Sequence, residues 1–249
     1  MKHYCLCINC FEADNTSLIW AVGEVQSNLL AICRCPNGHV QISGLQYDLF
    51  DVLFTSGIHA YRKGFYSESV MSFAASLERA YELFIKLNLF KTVKTDNPLE
   101  TIDKFWKEIE GQSERQYGAF CSAYLMTVRE AWKANQEQVK FRNKVIHKGY
   151  IANSQEAKKY AEYIIGCLNN IMKAIKENFA EQRSPLYFHI KKLAKPAKEK
   201  SLKENPGAKY SANSGPSLLK WNSHNHEDAT FADALALAES FDKTIGEQI

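Results

Sequence analysis

Long apolar runs are missing from this 249-residue chain. No segment offers the roughly 18 to 20 apolar residues that a membrane-spanning helix requires. The amino-terminal MKHYCLCINC also lacks a signal-peptide core of about seven apolar residues behind a basic start. The expectation is a cytosolic protein with no membrane span. A strong charge of one sign is absent too: 31 Lys and Arg stand against 28 Asp and Glu, a formal net charge of +3. Affinity for nucleic acid must therefore come from a local patch rather than from the whole surface. No GxxxxGK[ST] phosphate loop, HExxH or GxSxG occurs, so nucleotide hydrolysis, zinc proteolysis and serine-esterase chemistry lose their usual support. No internal repeat is visible.

What is there begins with cysteine. Five of the seven cysteines, Cys5, Cys7, Cys10, Cys33 and Cys35, fall within the first 35 positions. In a cytosolic chain such clustering points to metal ligation before disulfides. Cys7-Ile-Asn-Cys10 and Cys35-Pro-Asn-Gly-His39 form two short knuckles, each able to aim two ligands at one ion. Four such ligands close a tetrahedral zinc site with no open position for water, so the ion is expected to be structural. Cys5 and Cys33 each lie two positions from a chosen cysteine and stay open as substitutes; reduced, buried cysteines without metal are the other reading. Short β-favouring runs between the clusters, Leu18 to Val22 and Leu29 to Ile32, complete a β-rich zinc ribbon over residues 1–43.

After Gly44 the apolar period changes from two to 3.6. One helix is expected over Leu45 to Arg62. A longer one over Ser67 to Phe90 carries the stripe Val70, Phe73, Ala74, Leu77, Tyr81, Phe84 and Ile85. Thr101 to Ile109 reads as a short helix, and Ser113 is a candidate cap for a helix reaching Trp132. The next helix runs from Asn135 to Lys148 and stops at Gly149, a residue suited to a left-handed cap. Asn153 or Ser154 then caps a long helix with a stripe from Ala157 to Ile175. These helices predict a bundle over residues 44–183. Residues 184–220 hold eight lysines and four of the six prolines, the profile of a basic linker. Residues 221–249 regain helical spacing through Phe231, Leu235, Ala238, Phe241 and Ile245, with an acidic remainder. Such a helix needs a docking surface, on a protein partner or on its own bundle. His224-Asn-His226-Glu227-Asp228 is a weaker metal candidate, since its histidines lack helical i, i+4 spacing.

Arg142-Asn143-x-x-x-His147, at the end of the fifth predicted helix, carries the chemistry. It resembles the Rx4-6H motif of HEPN (higher eukaryotes and prokaryotes nucleotide-binding) domains. The likeness extends over about residues 44 to 180: an opening helix, the long helix GFYSESVMSFAASLERAYELF, and the motif just before a closing helix. Cys35 to His39 also resembles the zinc-ribbon extension ahead of some HEPN domains. The resemblance implies a mainly α fold, an antiparallel HEPN-like bundle behind the small ribbon. It further implies a homodimeric, metal-independent endoribonuclease of the toxin or antiviral-defence kind, cutting RNA by 2′-hydroxyl attack. A tyrosine two positions after the histidine marks HEPN toxins regulated by nucleotidylation. Here Gly149 intervenes and Tyr150 stands third, so that regulation is not expected.

Elementary chemistry agrees with this assignment. Metal-free RNA cleavage needs a group that moves protons near neutral pH and a cation that stabilises the pentavalent phosphorus, roles suited to histidine and arginine. Asn143 lies one turn before His147 and is placed to orient the ring. Five helical steps put Arg142 about 140° from His147, so the two converge either by loosening of the helix or by completion from a second chain. Lys144 and Lys148 are candidates for flanking phosphates, with Arg62 and Lys63 more distant, and Tyr150 is a candidate to stack a base. Glu78 and Arg79, beside the stripe of the long helix, are candidates to reach the motif through an ion pair. A non-catalytic HEPN module binding RNA, a nucleotide or a protein is the competing reading.

Overall fold

The computed structural model describes residues 1–14, 18–213, 218–219 and 228–246. The chain divides into two compact units. The first holds Met1–Asp48, Ile190–Ser217 and Ala236–Ile249; the second holds Leu49–His189 and Leu218–Leu235. Among the described residues no helix is long and apolar enough to cross a membrane.

The first unit is built on a sheet of order β1-β2-β3-β4-β5. Strands β1 (Lys2–Leu6), β2 (Trp20–Val25), β3 (Leu30–Arg34) and β4 (Val40–Leu45) are antiparallel neighbours, and β5 (Lys209–Asn213) lies parallel to β4. A short helix α1 (Ile8–Ala13) follows β1. Alternation puts His3 and Cys5 of β1 inside, where His3 Nε2 meets Ser43 Oγ at 2.9 Å. Leu30, Ile42 and Leu45 supply the apolar filling.

The ribbon therefore runs beyond residue 43, and helix α2 (Leu49–Arg62) starts four residues later than its periodicity predicts, because Val40–Leu45 joins the sheet. The expected linker over 184–220 is corrected as well. It contains the end of α8 (Ala180–Leu193), then α9 (Lys195–Glu204) and β5. Its composition misleads for physical reasons. Pro196 occupies the first turn of α9, where a missing N–H costs nothing. Lys195 and Lys200 pair with Glu199 and Glu204 one turn on, and β5 finds its ladder on a strand about 170 residues earlier.

The second unit is helical. Helices α3 (Tyr66–Thr92) and α7 (Ser154–Asn178) form its centre, and every residue of the α3 stripe is buried. Phe54 packs against Phe73, and a Cβ on Gly57 would lie 2.5 Å from the Phe73 ring, so α2 approaches α3 closely at that glycine. Helix α4 (Pro98–Ile109) is followed by α5 (Ser113–Val128). Ser113 does not cap α5; Gln112 holds the N-cap position without a side-chain bond. The helix ends at Val128, short of Trp132, because Arg129 turns left-handed at φ 67°. Trp132 still enters the aromatic cluster of Tyr81, Phe120 and Tyr124, from a loop.

The carboxy-terminal stretch of this unit packs on its helices. Phe231, at the start of α10 (Phe231–Gly246), meets Tyr61 at 5.1 Å and Phe73 at 6.2 Å. Asn169 Nδ2 donates to the Ala229 carbonyl. The side chains of Phe241 and Ile245, and the histidines at 224 and 226, lie outside the described residues.

Candidate functional site

In the first unit the two knuckles converge. The ligand atoms of Cys7, Cys10, Cys35 and His39 all lie within 4.8 Å of one another, and together they could hold a metal ion. Cys7 and Cys10 straddle the start of α1, while Cys35 and His39 close the turn between β3 and β4. That turn needs Gly38 at φ 82°, a left-handed conformation that glycine alone adopts without strain. Cys35 N–H then donates to the His39 carbonyl, and Gly38 N–H to the Cys35 carbonyl.

The distances test the fit. A tetrahedron with metal–sulfur bonds of about 2.3 Å and a metal–nitrogen bond of about 2.0 Å has S···S edges of about 3.8 Å and S···N edges of about 3.5 Å. Cys10 Sγ and Cys35 Sγ are 3.8 Å apart, and His39 Nδ1 stands 3.8, 3.2 and 3.5 Å from the sulfurs of Cys7, Cys10 and Cys35. Backbone N–H groups point at two of the sulfurs: that of Cys10 reaches Cys7, and those of His39 and Asn37 reach Cys35. Asn37 Nδ2 also donates to Cys10 Sγ at 3.4 Å. Burial pushes the Cys35 thiol up, but those N–H donors and the neighbouring sulfurs outweigh it and bring it down to about 7.

Cys5 and Cys33 do not join the group. They flank β2 opposite Ala21 and Gly23 and hydrogen-bond to each other. A Cβ on Gly23 would lie 2.8 Å from Cys33 Sγ, so the bare glycine provides the room. Gln41 was not anticipated. Its Oε1 accepts from Ile8 N–H, and its Nε2 donates to Cys5 Sγ and Ser211 Oγ. It thereby ties α1 and β5 to β4.

In the second unit the RNxxxH residues sit on α6 (Gln136–Lys148). Asn135 caps its first N–H groups, and Gly149, at φ 65°, ends it. Val145 and Gln138 anchor its buried side. The loop that follows is fixed by Ala152 N–H donating to Ser67 Oγ at the start of α3.

The angular objection to a one-chain site fails. Arg142 Nη1 donates to Asn143 Oδ1 at 3.0 Å and comes within 3.5 Å of His147 Nε2, while Nη2 donates to Glu78 Oε1 at 2.6 Å. A 140° separation measured at Cα does not bind a side chain as long as arginine, which wraps around the helix. Since arginine only donates, its contact with His147 is a hydrogen bond when Nε2 carries the lone pair. Asn143 reaches the histidine through Arg142 rather than directly. Glu78 makes the ion pair, with side-chain exposures of 21% for Arg142 and 26% for Glu78. Arg79 instead serves Glu82 and Gln116.

Tyr150 is less free than a stacking platform requires. The Lys144 ammonium lies 3.4 Å from its ring centroid, and its hydroxyl donates to Glu156 at 2.8 Å. That bond, ahead of burial, raises the Tyr150 hydroxyl above its ordinary pKa. Glu156 is lowered, first by the Asn153 N–H and then by Tyr150. Lys148 and His147 are exposed. No protein-family model, no curated protein and no solved structure matches this chain.

Proposed function

We propose that the chain is a metal-independent endoribonuclease of HEPN type. The observation that carries the reading is that Arg142 meets both Asn143 and His147 in the last two turns of α6, with His147 exposed. In the reaction the ribose 2′-oxygen attacks phosphorus, the bond to the 5′-oxygen breaks, and a 2′,3′-cyclic phosphate remains. One proton leaves the 2′-hydroxyl and another reaches the departing 5′-oxygen. His147 moves a proton, Arg142 stabilises charge on the phosphoryl oxygens, and Asn143 and Glu78 hold the guanidinium in place.

Two proton transfers on opposite sides of phosphorus suit two imidazoles, and the motif offers one per chain. The active species is accordingly a homodimer in which two copies of His147 face one phosphate. Residues 1–48 contribute a structural zinc, held by three thiolates and an imidazole.

A second reading rests on Glu78. Its ion pair already neutralises Arg142, which suits a non-catalytic module that grips RNA, a nucleotide or a protein. Defined single-stranded RNAs, incubated with the protein and mapped for end chemistry, separate the two. Cyclic-phosphate ends, lost in His147→Ala and in Arg142→Ala and unaffected by EDTA during the assay, are the expected result. Saturable binding without cleavage under any condition selects the module, and cleavage undiminished in both variants removes these residues from the reaction.

A further inference from the structure

Helix α6 carries Lys140, Arg142, Lys144 and Lys148 against a single acid, Glu137, a net of +3 over 13 residues before His147 is counted (4 − 1 = 3). Lys140, Lys144 and Lys148 are all exposed and follow one another at i, i+4. Like charges at that spacing destabilise a helix by roughly 0.2–0.5 kcal/mol per pair. Neither Lys140 nor Lys148 has an ion-pair partner among the described residues that would relieve this. In α9, by contrast, Lys195 and Lys200 each have a glutamate one turn on.

We infer that Lys140, Lys144 and Lys148 form a phosphate-binding row for a single strand of RNA, one phosphate to each helical turn, running beside His147. Four residues of helix advance about 6 Å along the axis, which is the scale of one nucleotide step in an extended strand. The row drifts by about 40° per step, so His147 lies about 20° from the meridian of Lys140 and about 100° from that of Lys148, and the strand passes beside the histidine as it winds along the row.

Tyr150 contributes by positioning. Its ring, fixed through the Glu156 carboxylate, holds the Lys144 ammonium at 3.4 Å and limits its freedom before any ligand arrives. The row is also narrow. Arg142, about 160° around the helix from Lys140, is taken up by Glu78 and does not widen the row. A stripe one lysine wide fits one backbone rather than a duplex with two. The placement of the strand at His147 rests on the ribonuclease reading; the binding of phosphates does not.

The test measures binding in the His147→Ala chain, where cleavage plays no part. The ligand is a fluorescent single-stranded RNA of twelve uridines, titrated over a series of salt concentrations. Three lost contacts at about 0.7 per phosphate lower the slope of log affinity against log salt by about 2 in the Lys140→Gln, Lys144→Gln, Lys148→Gln variant. The corresponding triple arginine variant keeps the slope, and so does Lys195→Gln, Lys200→Gln. An unchanged slope in the glutamine variant overturns the row. So does the absence of saturable single-strand binding, equal affinity for a uridine–adenine duplex, or equal competition by polyglutamate at matched charge. If the wild-type chain cleaves RNA while the glutamine variant keeps its slope, the row falls and the ribonuclease reading stands. If the slope falls but no wild-type cleavage occurs, the outcome is reversed.

Discussion

Removing the proposed zinc is the perturbation with the largest expected consequence. Among the described residues of Met1–Asp48, the buried large aliphatic side chains are Leu29, Leu30, Ile42 and Leu45, and small cores of this kind need a staple. Structural zinc sites bind with apparent free energies of about 10–16 kcal/mol. At free zinc near 1 μM, which sets a reference of about 8 kcal/mol, binding stabilises the folded ribbon by about 2–8 kcal/mol. That is a large part of the roughly 5–15 kcal/mol by which domains are stable. Chelation is therefore expected to release about one ion per chain and to remove hydrogen-exchange protection from the β3 and β4 amides, with recovery when zinc returns. The ligand set makes the test sharper. Cys7→Ser and Cys35→Ser should lose the ion, whereas Cys5→Ser and Cys33→Ser should keep it, because their sulfurs bond to each other outside the group. Equal loss in all four variants, or protection indifferent to the chelator, would refute the reasoning.

Two further outcomes concern the second unit. Gly57→Ala places a carbon 2.5 Å from a fully buried phenylalanine ring, so overpacking should cost about 1–3 kcal/mol in chemical denaturation; a change below about 0.5 kcal/mol would mean that α2 and α3 separate easily. Asn153→Ala breaks the capping box of α7 at a cost of about 1 kcal/mol. The Glu156 share of that box has a set pH window. Its folded pKa is lowered, so its contribution is present above the unfolded value of about 4.3 and is lost as pH falls through the folded value. Wild type and Glu156→Gln should thus differ in melting temperature at pH 7 and converge in acid; a constant gap would place the stabilisation elsewhere.

Local chemistry made much of the molecule readable. The 3.6-residue period of α3 and α7 identifies their buried faces, since a helix places those side chains together whatever surrounds it. Asn135, Gly149 and Asn153 mark helix ends for equally local reasons, and the two knuckles point to four residues that the fold brings close enough to hold a metal ion, while spacing alone left Cys5 and Cys33 open as substitutes. Trp132 shows the limit: it follows the helical period but reaches the core from a loop, because one left-handed residue at Arg129 ends the helix.

Other features depend on partners far along the chain. The strand at 209–213 exists through its pairing with 41–45, so its lysine-rich, proline-bearing neighbourhood reads as linker when taken alone. Cys5 and Cys33 leave the metal group because β2 lies between them with a bare glycine. The sequence placed Arg142 and His147 in one motif and, by helical geometry at Cα, on different faces. Tertiary structure brought the guanidinium back to the histidine, because Glu78, 64 residues earlier on α3, gives the long side chain a charged partner to bend toward.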